Sequence, residues 1–368
     1  MITRFYINEL NIASFRGLKK IDIKKCSDVN LILGDNNAGK TSFLESIYLL
    51  RNNDTYNFTN VAKCRQESSA QSISSVKFLY PLDSHEISIH ASTIGEDISF
   101  YSTYKIEQIT FDKNIYFDKQ PNLVNSVLDG FLKSIVETTK HDGKSINQIS
   151  GTIKYNDDIN EYALVDLDFY GKIAKSNKQE NKIVYMSPSN HYNLSANNIS
   201  QILKNKNYHN ILVELLRMFD ASVEDIIIVQ SDGVFGTPEI NIRKKGVDES
   251  EPISLFGDGM KKAIALATFL VRAADGILLI DEVETSLHHS LFKDVFSFLL
   301  LAAKQFNVQL FIATHNIEAI DSILDVDEDR LNNTSLITFR NSNNGLSYRC
   351  LNGKDAKKYR ESISMEVR

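Results

Sequence analysis

Followed from its start, the chain first alternates apolar with polar positions and then gathers its apolar residues into short runs. Ile7, Leu10, Ile12 and Phe15 mark one strand and Arg16-Gly17-Leu18 a turn. Ile21 and Ile23, set among charged residues, mark a second strand. The unbroken run Val29–Leu33 predicts a third strand, buried. Thr41–Leu50 predicts a helix with Leu44, Ile47 and Leu50 on one face. Polar, punctuated sequence over Asn52–Ser75 predicts a loop with a short helix. Short β-type runs follow at Val76–Tyr80, His85–Ile94, Ile98–Ile109 and Ile115–Phe117, and return over residues 150–170, Tyr162–Tyr170 being the clearest. Together they predict an antiparallel sheet. Leu123–Val136 has an amphipathic helical pattern, and the charged stretch Lys172–Asn181 predicts a lobe boundary.

The second half reads differently. Ile183–Met186 is a short buried-type strand ended by Ser187-Pro188-Ser189. Helices are predicted at about Ile199–Lys204 and Asn210–Phe219, and strands at Ile226–Val229 and Glu239–Ile242 with Gly233 and Gly236 in the turn between them. The turn Gly257-Asp258-Gly259 leads into a helix over Ala263–Ala273. Four apolar residues, Ile277–Ile280, then end in Asp281-Glu282. Leu287–Phe306 predicts a long helix whose Leu287, Leu291, Val295 and Phe298 form a core stripe. Val308–Ala313 is another buried strand, ending in Thr314-His315-Asn316. Residues 335–340 and 346–351 predict a closing hairpin around Asn341–Gly345.

Composition narrows the class. An apolar share of 42% and a charged share of 24% are ordinary for a globular protein. A net charge of −6 argues against a dominant basic surface for nucleic acid, while leaving room for a local basic patch formed in a dimer. Cys26, Cys64 and Cys350 lie far apart and the eight histidines lack metal-motif spacing, adjacent His288-His289 included, so neither a disulfide framework nor a zinc site is expected. The start carries no apolar signal region. The longest apolar stretch, around Phe296–Ala303, is too short to span a bilayer. A cytoplasmic protein with no membrane partner is therefore expected.

The chemistry concentrates in four places. Gly34-Asp35-Asn36-Asn37-Ala38-Gly39-Lys40-Thr41 fits G-x-x-x-x-G-K-T between a strand and a helix, the pattern of a phosphate-cradling P-loop. Gly34 and Gly39 permit the tight turn. Backbone N–H groups along Asn36, Asn37, Ala38 and Gly39 and into the helix at Ser42 face phosphate, helped by the helix N-terminus. Lys40 is expected to reach the β- and γ-phosphates of ATP and Thr41 to ligate Mg²⁺. Asp281 closes a Walker B strand beside Mg²⁺, and Glu282 is placed to orient or deprotonate the attacking water. The alternative for that pair is a strand end with a helix cap. His315 ends the next predicted strand, where a γ-phosphate sensor would sit at the sheet's ligand crevice. Arg16 is either a nucleotide contact or a solvated turn residue.

These pieces resemble the ATP-binding-cassette ATPases of the SMC and RecF type, and more narrowly the OLD-like AAA-type ATPases of prokaryotic antiphage and mobile-element defence loci. Phe15-Arg16-Gly17, the P-loop at 34–41, Gly257–Lys262 as a variant signature motif, residues 277–282 as Walker B, Glu284–His288 as the D-loop and Thr314-His315 as the switch carry the likeness. The resemblance implies an α/β P-loop NTPase fold of ATP-binding-cassette type: a mixed central sheet, an antiparallel β arm and an inserted helical lobe. Residues 1–60 would form the first part of the ATPase domain and 61–182 the variable arm with a helical insertion. Residues 183–256 would form a lobe leading to the signature, 257–345 the rest of the ATPase domain, and 346–368 a closing strand and tail. Two chains would pair head to tail, each ATP lying between one P-loop and the Gly257, Asp258, Gly259 and Lys261 segment of the other chain. The dimer or higher oligomer would act on DNA or on a separately encoded nuclease or toxin.

Three departures stand out. Phe-Gly-Asp-Gly replaces the Leu-Ser-Gly-Gly of transporters, with Ser254 a candidate replacement hydroxyl. No Gln stands near Ser187–Asn190, and His289 stands where relatives have Pro. About 50 residues follow the switch, too few for the Toprim nuclease of full OLD enzymes. Rival readings are a RecF-like DNA-repair ATPase, a transporter nucleotide-binding subunit and a nucleotide-binding scaffold without turnover. The long stretch between Lys40 and Asp281 counts against the transporter, and Glu282 with His315 against the scaffold.

Overall fold

A computed structural model of the chain describes residues 4–52, 58, 61, 76–94, 97–110, 145–165, 181–192, 194–230, 237–325, 328–342 and 345–363. The strands are β1 (Ile7–Phe15), β2 (Leu18–Ile23), β3 (Val29–Gly34), β4 (Glu86–Thr93) and β5 (Asp97–Thr110). They continue with β6 (Ser145–Tyr155), β7 (Asp158–Val165), β8 (Ile183–Met186), β9 (Val223–Gln230) and β10 (Pro238–Lys244). The last are β11 (Glu251–Pro252), β12 (Ile277–Ile280), β13 (Gln309–Ala313), β14 (Thr334–Ser342) and β15 (Gly345–Asn352). The helices are α1 (Lys40–Leu49), α2 (Ala196–Leu203), α3 (Lys206–Arg217) and α4 (Asp258–Arg272). They are followed by α5 (Phe292–Gln305), α6 (Ile317–Leu324), α7 (Glu328–Asn332) and α8 (Gly353–Ile363).

Three sheets organise these elements. The central one has six strands in the order β15-β14-β3-β13-β12-β8. All its pairings are parallel except the β14–β15 hairpin. β12 and β13 are buried at every position, which is why they read as unbroken apolar runs: a parallel sheet is covered on both faces. On one face α1 contributes Phe43, Leu44 and Ile47 to a core shared with β1, β2 and β4. On the other, α4 and α5 pack Leu266, Leu270, Phe296 and Leu299 against Leu31, Leu278 and Ile312. The second sheet is antiparallel, β2-β1-β4-β5-β6-β7. The third, β11-β10-β9, is covered by α2, α3 and α4 through Ile199, Leu212, Leu216, Ile226, Ile242 and Ile264. The chain is thus an α/β protein with a mixed central sheet, an antiparallel sheet and a helical layer, as the resemblance implies.

Gln309 ties the first two sheets together. Buried at the start of β13, it accepts from the Ile7 N–H at 2.9 Å and donates to the carbonyls of Ile7 at 2.9 Å and Ser27 at 3.0 Å. Gln309→Leu keeps the volume but strands three buried backbone groups. The expected loss is about 2–4 kcal/mol of unfolding free energy in a urea titration, against near-neutrality for an ordinary polar-to-apolar swap in the core.

Several elements differ from the sequence reading. Val76–Tyr80 is the end of a helix and a turn, with the Leu79 N–H on the Val76 carbonyl at 3.0 Å, not a strand. Gly257-Asp258-Gly259 is no separate turn: Gly257 is the N-cap of α4 and the helix begins at Asp258. The expected helix over Leu287–Phe306 starts at Phe292. Before it the chain makes a 3-10 turn, His289–Leu291, because the His288 ring ties itself to the Ser290 hydroxyl at 2.8 Å. Helix α6 was not foreseen; Asn316 caps it by accepting from the Ala319 N–H. Nor was α8, which begins where Asn352 accepts from the Asp355 N–H, in place of a tail. The expectations for Ile115–Phe117, Leu123–Val136, residues 166–170, residues 172–180, the Gly233–Gly236 turn and most of 53–75 lie outside the described residues.

Candidate nucleotide-binding site

β3 delivers the chain into the P-loop at Gly34, whose φ of 146° and whose position leave no room for a side chain: a Cβ would stand 2.5 Å from the Phe339 carbonyl oxygen of β14. Asn37 takes a φ of 64°, and its carbonyl accepts from the Asn341 side chain at 3.0 Å. Gly39, at φ 92°, is the N-cap of α1, and a Cβ there would meet Leu18 at 3.0 Å. Asp35, Asn36 and Asn37 are exposed, while Ala38 is buried beneath them. No side chain caps α1, so its first N–H groups remain available to an anion. Lys40 lies folded along the loop, its Nζ donating to the carbonyls of Gly34 at 2.8 Å and Asp35 at 2.9 Å. Burial pulls its pKa down, opposed by Asp281, Glu282, Glu284 and Asp35. Ser42 is buried in the first turn of α1.

Two oxygens meet across the crevice. Thr41 donates through Oγ1 to Asp281 Oδ2 at 2.8 Å, joining the start of α1 to the end of β12. Two ligands at neighbouring corners of an octahedral Mg²⁺ shell stand about 2.9 Å apart, given Mg–O bonds of about 2.0–2.1 Å. This pair, a hydroxyl and a carboxylate with hard oxygen donors, therefore fits Mg²⁺. Among the described residues no cluster of three or more His, Cys, Asp or Glu side chains could hold a metal by itself. Tyr185, at the end of β8, also donates to Asp281 Oδ2, at 3.2 Å. No local pattern singles it out: the contact comes from the parallel register that sets Tyr185 beside Leu279.

Beyond Asp281 the chain turns sharply. Glu282 adopts φ 48° and its Oε2 accepts from the Thr285 hydroxyl at 3.2 Å. Its carbonyl accepts at 3.4 Å from Lys262, which is fully buried in α4. Burial pushes Lys262 down to about 8, with Glu284, Glu282 and Asp281 pulling the other way. Glu284, itself buried, accepts from the His315 backbone N–H at 3.2 Å and stands 3.0 Å from His315 Nδ1. His315 follows β13, the strand between β3 and β12, so Gly34–Thr41, Asp281 and His315 share one sheet edge.

The remaining candidates fall elsewhere. Gly257, Asp258, Gly259 and Lys261 open α4. Asp258 pairs with Lys261 at 3.2 Å and accepts from Tyr192 at 3.4 Å. A Cβ on Gly259 would lie 3.2 Å from Phe219 and 3.3 Å from the Ser286 carbonyl, so this glycine lets α4 close on the loop after β12. In the neighbouring segment, buried His191 meets the Pro188 carbonyl at 2.9 Å through Nδ1 and the Ser286 hydroxyl at 3.0 Å through Nε2. A carbonyl only accepts, so Nδ1 carries the proton and Ser286 donates to Nε2. Gly259 and His191 thus both meet Ser286, in the loop after β12. Arg16 is a turn residue with φ 51° but not a solvated one. It pairs with the buried Glu45 of α1 at 2.9 Å and donates to the carbonyls of Phe78 and Val61.

Comparison with known proteins agrees with this geometry. A protein of Helicobacter pylori described as an ATP/GTP phosphatase is 24% identical over 97% of this chain and 98% of its own. The DNA replication and repair protein RecF of Nitrosococcus oceani is 51% identical over a 45-residue stretch, 12% of each chain. Among solved structures, an Smc head bound to the C-winged helix domain of ScpA superposes with a TM-score of 0.52 at 14% identity, over 96% of this chain and 99% of that one. That likeness is one of fold. Residues 29–321 match the family described as "AAA domain, putative AbiEii toxin, Type IV TA system". With most of the chain matched, P-loop and switch included, it belongs to that family of AAA ATPase domains.

Proposed function

We propose that the protein binds and hydrolyses ATP with Mg²⁺, pairs with a second copy around the nucleotide, and uses that cycle to act on DNA or on a separately encoded nuclease or toxin in defence against phage or mobile elements. The observation that carries the reading is the 2.8 Å contact of Thr41 and Asp281 beside Lys40, with Glu282 the next residue in the chain. In this reading Gly34, Asn36, Asn37, Ala38, Gly39 and Ser42 hold phosphate through the backbone, and Lys40 neutralises it. Thr41 and Asp281 hold Mg²⁺, which supplies charge compensation on the β- and γ-phosphates. Glu282 directs the attacking water, and His315 completes the site.

Pairing rests on the start of α4. Gly257 has nothing within 4 Å of where a Cβ would be, no side chain caps the helix, and Leu255 just before it is 75% exposed. An uncapped helix start beside an exposed apolar residue is suited to meet a nucleotide carried by another copy. Among the described residues no helix is long and apolar enough to cross a membrane, and we place the protein in the cytoplasm. The identity to RecF supports a second reading, a repair ATPase that binds DNA directly; salt-dependent binding to DNA by the purified protein alone would favour it. The test of the main reading is phosphate release. The purified protein with ATP should release phosphate in the presence of Mg²⁺ and stop when EDTA is added; no release from ATP or GTP would overturn it.

A further inference from the structure

Glu284 has no part in the reading above, yet it is built into the centre of the site. It is 8% exposed, and its side chain turns to one residue, His315. Oε1 takes the His315 backbone N–H at 3.2 Å and lies 3.0 Å from His315 Nδ1; Oε2 is buried with no hydrogen-bond partner. A buried carboxylate left half-satisfied costs stability and calls for a reason. Its charge is offset by fully buried Lys262, for which Glu284 is the strongest acidic neighbour. The His315 ring, by contrast, is 51% exposed.

We infer that Glu284 is a positioning residue for His315: it anchors the backbone after β13, keeps the ring proton on Nδ1, and so presents Nε2 to the sheet edge as an acceptor. The electrostatics require this order. An ionised carboxylate 3.0 Å from Nδ1 repels a lone pair and attracts a proton there. The neutral ring then has one donor, turned inward, and one acceptor, turned out. An acceptor at Nε2 is matched to the O–H of an attacking water and mismatched to a bare γ-phosphate oxygen. The neutral His315 is thereby assigned to the water rather than to the phosphate. The logic is that of other acid–histidine pairs, where the carboxylate selects the tautomer and the far nitrogen does the work.

The inference rests on the ATPase reading for its kinetic consequence but not for its chemistry, and two measurements separate them. In ¹⁵N-labelled protein without nucleotide, neutral His315 should be present as the Nδ1–H tautomer. In Glu284→Leu the Nε2–H form should appear, and in Glu284→Gln, which keeps an acceptor oxygen, the Nδ1–H form should largely return. A wild-type His315 protonated on Nε2 overturns the proposal whether or not ATP turns over. In steady-state hydrolysis, Glu284→Leu should lower kcat on the order of 10- to 100-fold with little change in KM, the scale of losing a residue that orients a site group. The double variant Glu284→Leu/His315→Ala should be no slower than His315→Ala alone. Additive losses would show that Glu284 acts independently of His315 and would overturn the proposal. Should Glu284→Leu fail to fold, Glu284→Gln with His315→Ala completes the same cycle, and the wild-type tautomer needs no variant.

Discussion

Lys40→Ala should bind ATP at least about 100-fold more weakly than the wild-type protein in a fluorescent-nucleotide titration. Two charge-assisted hydrogen bonds to phosphate are at stake, each worth about 1.5–3 kcal/mol, and about 2.7 kcal/mol is 100-fold in affinity. The structure shows why no neighbour can substitute. Lys40 Nζ lies over the loop on the Gly34 and Asp35 carbonyls, and the nearest charged groups acting on it are the acids Asp281, Glu282, Glu284 and Asp35. Without the ammonium, that acidic edge repels a triphosphate. The same change removes a donor from two loop carbonyls, so unfolding free energy should fall by about 1–3 kcal/mol. A melt recorded alongside the titration distinguishes this loss from unfolding. Affinity within about threefold of wild type would sink the assignment of the P-loop, because a loop that holds phosphate without its lysine is not working by the physics proposed for it.

What was legible in the chain follows from the kind of signal each part carries. β3, β12 and β13 lie in a parallel sheet covered on both faces, so their apolar runs announce them, and the acids and histidine that end them are placed by the strand ends. The P-loop glycines were legible because backbone conformation and close approach demand them: Gly34 sits 2.5 Å, measured from a built Cβ, from β14. Val76–Tyr80 misled because five residues of apolar character fit a helix end as well as a strand. The burial of Lys262, which the sequence places only within the signature motif, was hidden for the opposite reason. A lysine in a helix reads as a surface residue, and this one is fully buried, held by acids contributed from the loop after β12. The contacts of Glu284, Tyr185 and His191 were hidden in the same way. Each acts through a partner far along the chain, and no local spacing encodes a contact between Tyr185 and Asp281 or between His191 and Ser286.

Glu282→Gln should bind ATP as tightly as wild type, lose hydrolysis by on the order of 10²- to 10⁴-fold, and elute as a dimer when ATP and Mg²⁺ are in the column buffer. The substitution is nearly isosteric, and the contacts around Glu282 tolerate it: the Thr285 hydroxyl has an oxygen to donate to in either residue, and the Lys262 bond is to the backbone carbonyl. What disappears is the carboxylate that would take a proton from water. Binding and hydrolysis therefore separate, and any association that depends on an intact γ-phosphate should accumulate instead of cycling. The start of α4 meets Tyr192 through Asp258, and Phe219 and the Ser286 carbonyl through Gly259. In the proposed dimer this segment meets the nucleotide carried by the second copy. If Glu282→Gln retains ATP yet remains monomeric at every concentration tested, the shared site is wrong, and Gly257, Asp258, Gly259 and Lys261 are helix-start residues with no part in catalysis. If it dimerises with ATP and not with ADP, the γ-phosphate is the group that holds the two copies together.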